Sequence, residues 1–272
     1  MPQVSVVIIT KNEACNIIDC IAAAKKISSD IIVIDSGSTD ATVSLAKAEN
    51  VKVKSIIWKG YGHARNTGAL LAIHDWIFAL DADERITDGF AHAVKTIASM
   101  DEHAVYGFKR INYFGGRKIR HGSFAHDRVF RLYNRRNARW NMLPVHEKLT
   151  GSKLQKVIVK CCLLHYTART QAHYRQKITG YAALCAIKYQ QEGKKFIYAR
   201  KLFSPAFNFI KDYIFQLGFL DIHAGLIIAR LNAFYTRKKY QEMLVLLNEE
   251  KKEHRPPALL QNSLRKIISL LS

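Results

Sequence analysis

An α/β fold is the class that this sequence of 272 residues predicts: a Rossmann-like, mostly parallel sheet with helices on both faces, followed by a helical C-terminal region. Three observations predict it. Apolar runs rich in Val and Ile alternate with amphipathic stretches through residues 4–80, which is the rhythm of successive βαβ units. Short polar loops follow the first, second and fourth of these runs. Beyond about Gln171 the alternation gives way to helix-like sequence up to the C-terminus.

In chain order, a strand is expected at Val4 to Thr10 and a helix near Asn16 to Lys26, then a strand at Ile31 to Asp35 and a helix near Ala41 to Glu49. A third round places a strand at Val51 to Ile57 and a helix near Gly62 to Ala72. A fourth strand, Trp76 to Leu80, delivers the acidic run Asp81-Ala82-Asp83-Glu84. From about Val105 to Lys160 the sequence is strand-like and strongly basic, with Gly115-Gly116 marking a hairpin. The helical part that follows is interrupted at Ser204-Pro205 and Arg255-Pro256-Pro257. The expected division is residues 1–165 for the α/β domain and 166–272 for a helical C-terminal region.

Composition bounds the function classes. A formal charge of +20 and a pI near 9.8 mean that the surface attracts something anionic, whether nucleic acid, an acidic membrane or phosphorylated substrates. Five cysteines, odd in number and without CxxC spacing, read as free thiols in a reducing cytosol. The apolar run Val4 to Ile9 is too short for a signal peptide, so no export is expected. The segment Ile214 to Leu231 carries Gln216, Asp221, His223 and Arg230 and makes a poor transmembrane span; it reads as a helix that is buried or lies on a membrane surface. No GxGxxG follows the first strand, which argues against a dinucleotide oxidoreductase. Thr10-Lys11-Asn12-Glu13 lacks the glycines of a nucleotidyltransferase triphosphate loop.

Loops after the carboxyl ends of parallel strands are where such sheets bind ligands. Asp81 and Asp83 flank a small residue there, a spacing that suits Mg²⁺ or Mn²⁺ sharing its shell with substrate phosphate. Asp35 ends a buried run at the cleft edge, where its carboxylate can accept hydrogen bonds from a base or ribose. Asp40 reads as a helix-start residue.

Four ordered motifs, Ser5 to Glu13, Val33 to Asp40, Gly62-His-Ala-Arg65-Asn66-Thr-Gly68 and Leu80-Asp-Ala-Asp83-Glu84, together resemble glycosyltransferase family 2, inverting enzymes of the GT-A fold. The resemblance implies that Asp35 contacts the base, that Thr10, Asn12 and Glu13 form the first nucleotide loop, and that Arg65 lies near the nucleotide. It implies Asp81 at the ribose and Asp83 on the metal, hence a divalent cation as cofactor.

The base of an inverting transfer is then expected at Glu147, in Pro144-Val145-His146-Glu147-Lys148. That motif, with Leu164-His165-Tyr166, resembles the lipopolysaccharide-core β-glucosyltransferases. His146 and His165 are candidate metal or phosphate contacts. Eleven basic residues between Lys109 and Lys148, Arg128 and Arg131 among them, suit an acceptor bearing phosphates or sugar acids.

The expected donor is a UDP-sugar and the expected acceptor the lipopolysaccharide inner core, at the cytoplasmic face of the inner membrane. Another envelope polysaccharide or lipid is the alternative acceptor. A basic nucleic-acid-binding protein is the alternative class, disfavoured because no reading motif is present. Aromatic and basic residues from Phe203 to Tyr240 fit either helix core or an anionic membrane surface. In the resembling subgroup Gly218-Phe-Leu-Asp221 is usually followed by Gly; here it is followed by Ile222.

Overall fold

A computed structural model of the chain describes residues 3–97 and 101–253. They fall into two compact units: residues 3–111 with 126–166, and residues 112–125 with 167–253.

In the first unit the βαβ rhythm holds: β1 (Val4–Thr10), α1 (Ile17–Ala24), β2 (Ile31–Asp35), α2 (Thr42–Ala48), β3 (Lys52–Ser55), α3 (Tyr61–Leu71) and β4 (Trp76–Asp81). β1 lies between β2 and β4 and pairs parallel with both, and β3 pairs parallel with β2. All seven residues of β1 and all five of β2 are buried. Such a strand is covered on both faces, which is why it reads as a continuous Val/Ile run instead of an alternating one.

Helix α3 comes close enough to the sheet that a Cβ on Gly68 would stand 2.2 Å from Val7 Cγ1. Asp30 ties the edge of these elements together, accepting from Ser5 Oγ at 2.6 Å, Ile73 N at 2.8 Å and Lys52 Nζ at 2.9 Å. Burial pushes its carboxyl up, but the bonds from Ile73, Ser5 and Lys52 prevail and hold it below its ordinary value.

After β4 come β5 (Glu84–Arg85), α4 (Asp88–Lys95), β6 (Ala104–Phe114), β7 (Arg117–Lys118), β8 (Arg128–Asn134), β9 (Arg139–Trp140), β10 (Leu149–Thr150) and β11 (Gln155–Ala168). Helix α4, which the sequence reading left out, starts with Thr87 accepting from Phe90 N at 3.1 Å. β8 pairs antiparallel with β4 and with β6, and β5 pairs antiparallel with β11, so the sheet becomes mixed in the order β3-β2-β1-β4-β8-β6-β11-β5. This topology is the GT-A arrangement that the resemblance implies. β9 and β10 form a separate two-stranded ribbon that carries the loop containing Glu147.

In the second unit β7 folds back on the end of β6 through Gly115 and Gly116, both at positive φ, as the hairpin reading expects. Three helices follow: α5 (Gln171–Gln191), α6 (Ile197–Ile210) and α7 (Ile222–Glu253). Pro205 does not interrupt the helix as expected; it lies inside α6. The chain breaks instead near Gly193 and Phe196, and again at Leu217, where positive φ values of 62°, 59° and 60° cannot continue a right-handed helix. The segment Ile214 to Leu231 is therefore not one helix. Arg255-Pro256-Pro257 lies outside the described residues.

One turn of π-helix, Lys211–Phe215, and one of 3₁₀, Gly218–Asp221, make the corner between α6 and α7. Buried Asp212 holds it, accepting from Ser123 N, from Ser123 Oγ at 3.2 Å and from Asn232 Nδ2 at 2.6 Å. A Cβ on Gly225 would lie 1.8 Å from the Gly218 carbonyl oxygen, so α7 can start where it does only with glycine there. Ile222 sits at φ 51°, ψ −122°, the geometry of the first central residue of a type II′ turn, which for a β-branched side chain costs about 1–3 kcal/mol.

No single helix among the described residues is long and apolar enough to cross a membrane. The pair Ile197–Phe215 and Gly218–Glu250, bent by 72°, meets that test of length and composition only jointly.

Candidate active site

The carboxyl ends of β1, β2 and β4 bring three loops to one edge of the sheet. The first two are laced together. Asn12, in the left-handed region at φ 53°, donates its N–H to Ser38 Oγ at 2.8 Å and accepts from Thr39 N at 2.8 Å. Glu13 N donates to Thr42 Oγ1 at 2.8 Å, and Glu13 Oε2 accepts from Asn16 Nδ2 at 2.6 Å. Asp35 organises its own loop, accepting from Gly37 N at 3.0 Å and from Ser38 Oγ at 2.5 Å. Asp40 bonds Thr42 N at 3.0 Å and Ala14 N at 3.1 Å, one position before the cap residue of α2, Ala41. Thr10 Oγ1, at the end of β1, is buried with no partner among the described residues.

The third loop enters a network of buried charge. Arg65, 3% exposed, donates through Nη2 to Asp81 Oδ1 at 2.7 Å and through Nη1 to Glu147 Oε1. Arg131, also 3% exposed, donates through Nη2 to Asp81 Oδ2 and to Glu84 Oε1, the latter at 2.8 Å. Arg110 reaches the same Glu84 oxygen at 3.1 Å and Asp127 at 2.7 Å. Glu84 is wholly buried, and its other oxygen accepts the amide of Asp81 at 2.9 Å, which fixes the turn after β4. Burial pushes the Asp81 carboxyl up, but Arg131 and Arg65 prevail and hold it well below the ordinary carboxylate range. Burial lowers the Arg131 guanidinium and the carboxylates Asp81 and Glu84 more than reverse this, so its value is raised.

Three motif residues of α3, Gly62, Arg65 and Asn66, hold the Glu147 loop. The Arg65 guanidinium lies 4.6 Å from the centre of the Trp140 ring. Asn66 bonds the Trp140 backbone both ways, Nδ2 to the carbonyl at 2.8 Å and Oδ1 from the amide at 3.0 Å. Gly62 permits the contact, since a Cβ there would be 2.0 Å from the Asn141 carbonyl oxygen. Asn141 and Lys148 close the loop, N to O at 3.0 Å. Asn66, Trp140 and Glu84 are thus part of the site and carried no assignment in the sequence reading, while Arg110, counted there in the basic run, is bonded inside it.

Asp83 points elsewhere. Its Oδ2 lies 3.3 Å from His165 Nε2, and its carbonyl accepts Tyr166 N at 2.8 Å, placing it against β11. His146 is exposed, at φ 56°. Arg128 is exposed, whereas Arg131 is a correction to the expected acceptor contact: burial between Asp81 and Glu84 takes up its guanidinium. Arg135 is likewise engaged, with Asp75 at 3.0 Å and the Ala69 and Ala72 carbonyls. The basic run is therefore partly internal scaffold.

A divalent cation fits this set. Among the described residues no three His, Cys, Asp or Glu side chains converge as a closed metal cage. Asp83 with His165 offers two ligands, which leaves the rest of the shell to substrate oxygens, the habit of Mg²⁺ and Mn²⁺. Beside them the guanidinium groups of Arg65, Arg110 and Arg131 pair with the carboxylates of Asp81, Glu84, Asp127 and Glu147.

A glycosyltransferase of Rickettsia typhi is 29% identical over 247 residues, covering 86% of this chain and 84% of its own. The lipopolysaccharide core biosynthesis glycosyltransferase LpsC of Rhizobium meliloti is 24% identical over 243 residues, covering 84% and 90%. Among solved structures, glucosyl-3-phosphoglycerate synthase from Mycobacterium tuberculosis, crystallised with Mn²⁺, UDP and glucosyl-3-phosphoglycerate, aligns over 42% of this chain and 44% of its own, with 22% identity and a TM-score of 0.33. The model of the Glycosyl transferase family 2 matches residues 5–161, more than half of the sequence. The chain belongs to that family and is a glycosyltransferase.

Proposed function

We propose that this chain moves a hexose, glucose as the simplest case, from a UDP-sugar to a lipopolysaccharide inner-core acceptor with inversion at the anomeric carbon. The observation that carries the reading is Arg65, which joins the Asp81 carboxylate at the end of β4 to Glu147, 82 positions after Arg65 in the chain. A nucleotide-binding edge and a candidate base are thereby held at one place. The naming of LpsC for lipopolysaccharide core biosynthesis supports the acceptor class.

The residues divide the work. Asp35 and the interlaced first two loops receive the nucleoside, with Asp81 directed at the ribose. Asp83, with His165 beside it and His146 as a further candidate, would hold a Mg²⁺ or Mn²⁺ ion that stabilises negative charge on the leaving diphosphate. Glu147 accepts the proton of the acceptor hydroxyl as that oxygen bonds the anomeric carbon. The bond from that carbon to the diphosphate breaks, and its electron pair leaves with UDP. A base so placed contributes on the order of 10²- to 10⁴-fold. Exposed Arg128 is the acceptor contact.

The test is a panel of UDP-sugars with Mg²⁺ or Mn²⁺ against purified truncated core lipid, read as product mass and linkage. One UDP-hexose should give a single inverted product, and Glu147→Gln and Asp83→Asn should each remove turnover while the circular dichroism spectrum is unchanged. Full turnover in Glu147→Gln removes that residue from the base role. Failure of every UDP-sugar overturns the donor class, and transfer only to another envelope lipid overturns the acceptor.

A further inference from the structure

We infer that residues 196–222 of the C-terminal unit form an apolar wedge that docks on the surface of an anionic lipid bilayer. Phe203, Phe207, Ile210 and Ile214 recur at helical spacing along α6 and its π-turn, and all four are exposed, Phe203 by 68% and Phe207 by 61%. At the corner with α7 the stripe continues into Phe215, Leu217, Phe219, Leu220 and Ile222, again all exposed. The opposite face is the one that packs. Asn208 bonds Thr236 of α7 at 2.8 Å, and Asp212 bonds Asn232. A patch of this size on one surface marks a partner outside the unit.

Charge identifies that partner. The wedge contains two carboxylates and both are turned inward: Asp212 onto Ser123 and Asn232, and Asp221 onto the amides of Arg120 and His121 at 3.0 and 2.8 Å. Lys195, Arg200 and Lys211 are exposed around it, and exposed Lys194 pairs with Glu192 at 3.4 Å. Apolar tip, basic rim and no outward acid within residues 196–222 suit a bilayer with anionic headgroups, where aromatic and aliphatic side chains enter the acyl boundary and Lys and Arg stay at the phosphates. Docking stops short of spanning. Helix α6 has 14 residues, about 21 Å of rise against a hydrocarbon core of about 30 Å, and α7 carries Arg230, Arg237, Lys238 and Lys239. Phe196, Leu217 and Ile222 keep large apolar side chains at positive φ, where glycine or asparagine would be less strained.

The inference goes beyond the donor and acceptor assignment and is read without any sugar. The full chain is sedimented with phosphatidylglycerol-containing vesicles and with pure phosphatidylcholine vesicles, at low and high salt. Binding should be at least tenfold tighter to the anionic vesicles and should weaken with salt. The triple variant Phe203→Ser, Phe207→Ser, Phe215→Ser should lose at least tenfold in partitioning while UDP binding is unchanged. Brominated lipids should quench a Phe207→Trp reporter most strongly when the bromine lies near the headgroup. Equal binding of the triple variant overturns the proposal, as does quenching only from the bilayer centre, which means a span. So does a concentration-dependent dimer, detected by light scattering without lipid, that the triple variant splits, since the face would then belong to a second copy.

Discussion

The two units depart from the ordinary partition of side chains in opposite senses. The first buries charge: Arg65, Arg131, Asp83 and Glu84 are each less than a tenth exposed. The second exposes apolar surface, with Phe203, Phe207 and Phe215 each more than three-fifths accessible. The two departures differ in where their compensation lies. A buried charge has to find its counter-charge inside the fold, so its partners can be named from the structure. An exposed apolar face is compensated from outside, so its partner has to be inferred from what surrounds it.

The largest effect is expected from removing compensation in the first unit. In Arg131→Leu, Asp81 keeps only Arg65, and Glu84, fully buried, keeps only Arg110. Breaking a buried pair from one side costs about 3–5 kcal/mol, because the remaining carboxylates stay desolvated without their cation. Urea denaturation should show that loss, with Arg131→Lys recovering part of it, since both bonds leave from Nη2 and an ammonium keeps the charge on a side chain of shorter reach. A loss below about 1 kcal/mol would mean that the network behaves as a solvated surface pair.

A smaller effect separates the scaffold from the chemistry within that unit. In Gly62→Ala the methyl group would meet the Asn141 carbonyl at 2.0 Å, a backbone atom of the loop that carries Glu147. The cost in stability is about 1–3 kcal/mol. If Glu147 is the base, kcat should fall while the KM for donor changes little. Gly89→Ala is the control, since nothing lies within 4 Å of its added Cβ. Equal kinetics in the two variants would detach α3 from the placement of Glu147.

How much of this was legible in sequence follows from the range of each interaction. β1, β2 and β4 were readable because strands covered on both faces must be apolar throughout, and the loops after them follow from that. The link from Arg65 to Glu147 was not readable. It joins residues 82 apart through a ribbon of two-residue strands, too short to leave a pattern. Glu84 had no assignment because only the turn into β5 reveals that it faces inward. The basic run looked like an acceptor surface because charge counts do not say which guanidiniums are already bonded, as Arg110, Arg131 and Arg135 are. The aromatic series of α6 has the period of a core stripe as much as of a docking face. What decides between them is Asn208 and Asp212, whose bonds to α7 turn the phenylalanines outward.

The smallest expected effect has the opposite sign and tests the second unit alone. Ile222 follows Gly218-Phe-Leu-Asp221, where the resembling lipopolysaccharide-core enzymes usually have glycine, and its backbone at φ 51°, ψ −122° is one that glycine adopts without steric cost. The side chain is 77% exposed, so removing it forfeits little burial. Ile222→Gly should therefore raise stability by about 1 kcal/mol, less than the full strain because glycine also gains entropy in the unfolded chain. Measured by thermal denaturation without lipid, the variant should melt higher than the wild type, and its partitioning onto anionic vesicles should fall slightly. A lower melting temperature would mean that Ile222 packs against part of the chain and that its exposure is not what sets its role. A higher one with weaker vesicle binding would show that this position gives up stability in the free protein to keep an apolar side chain on the docking face.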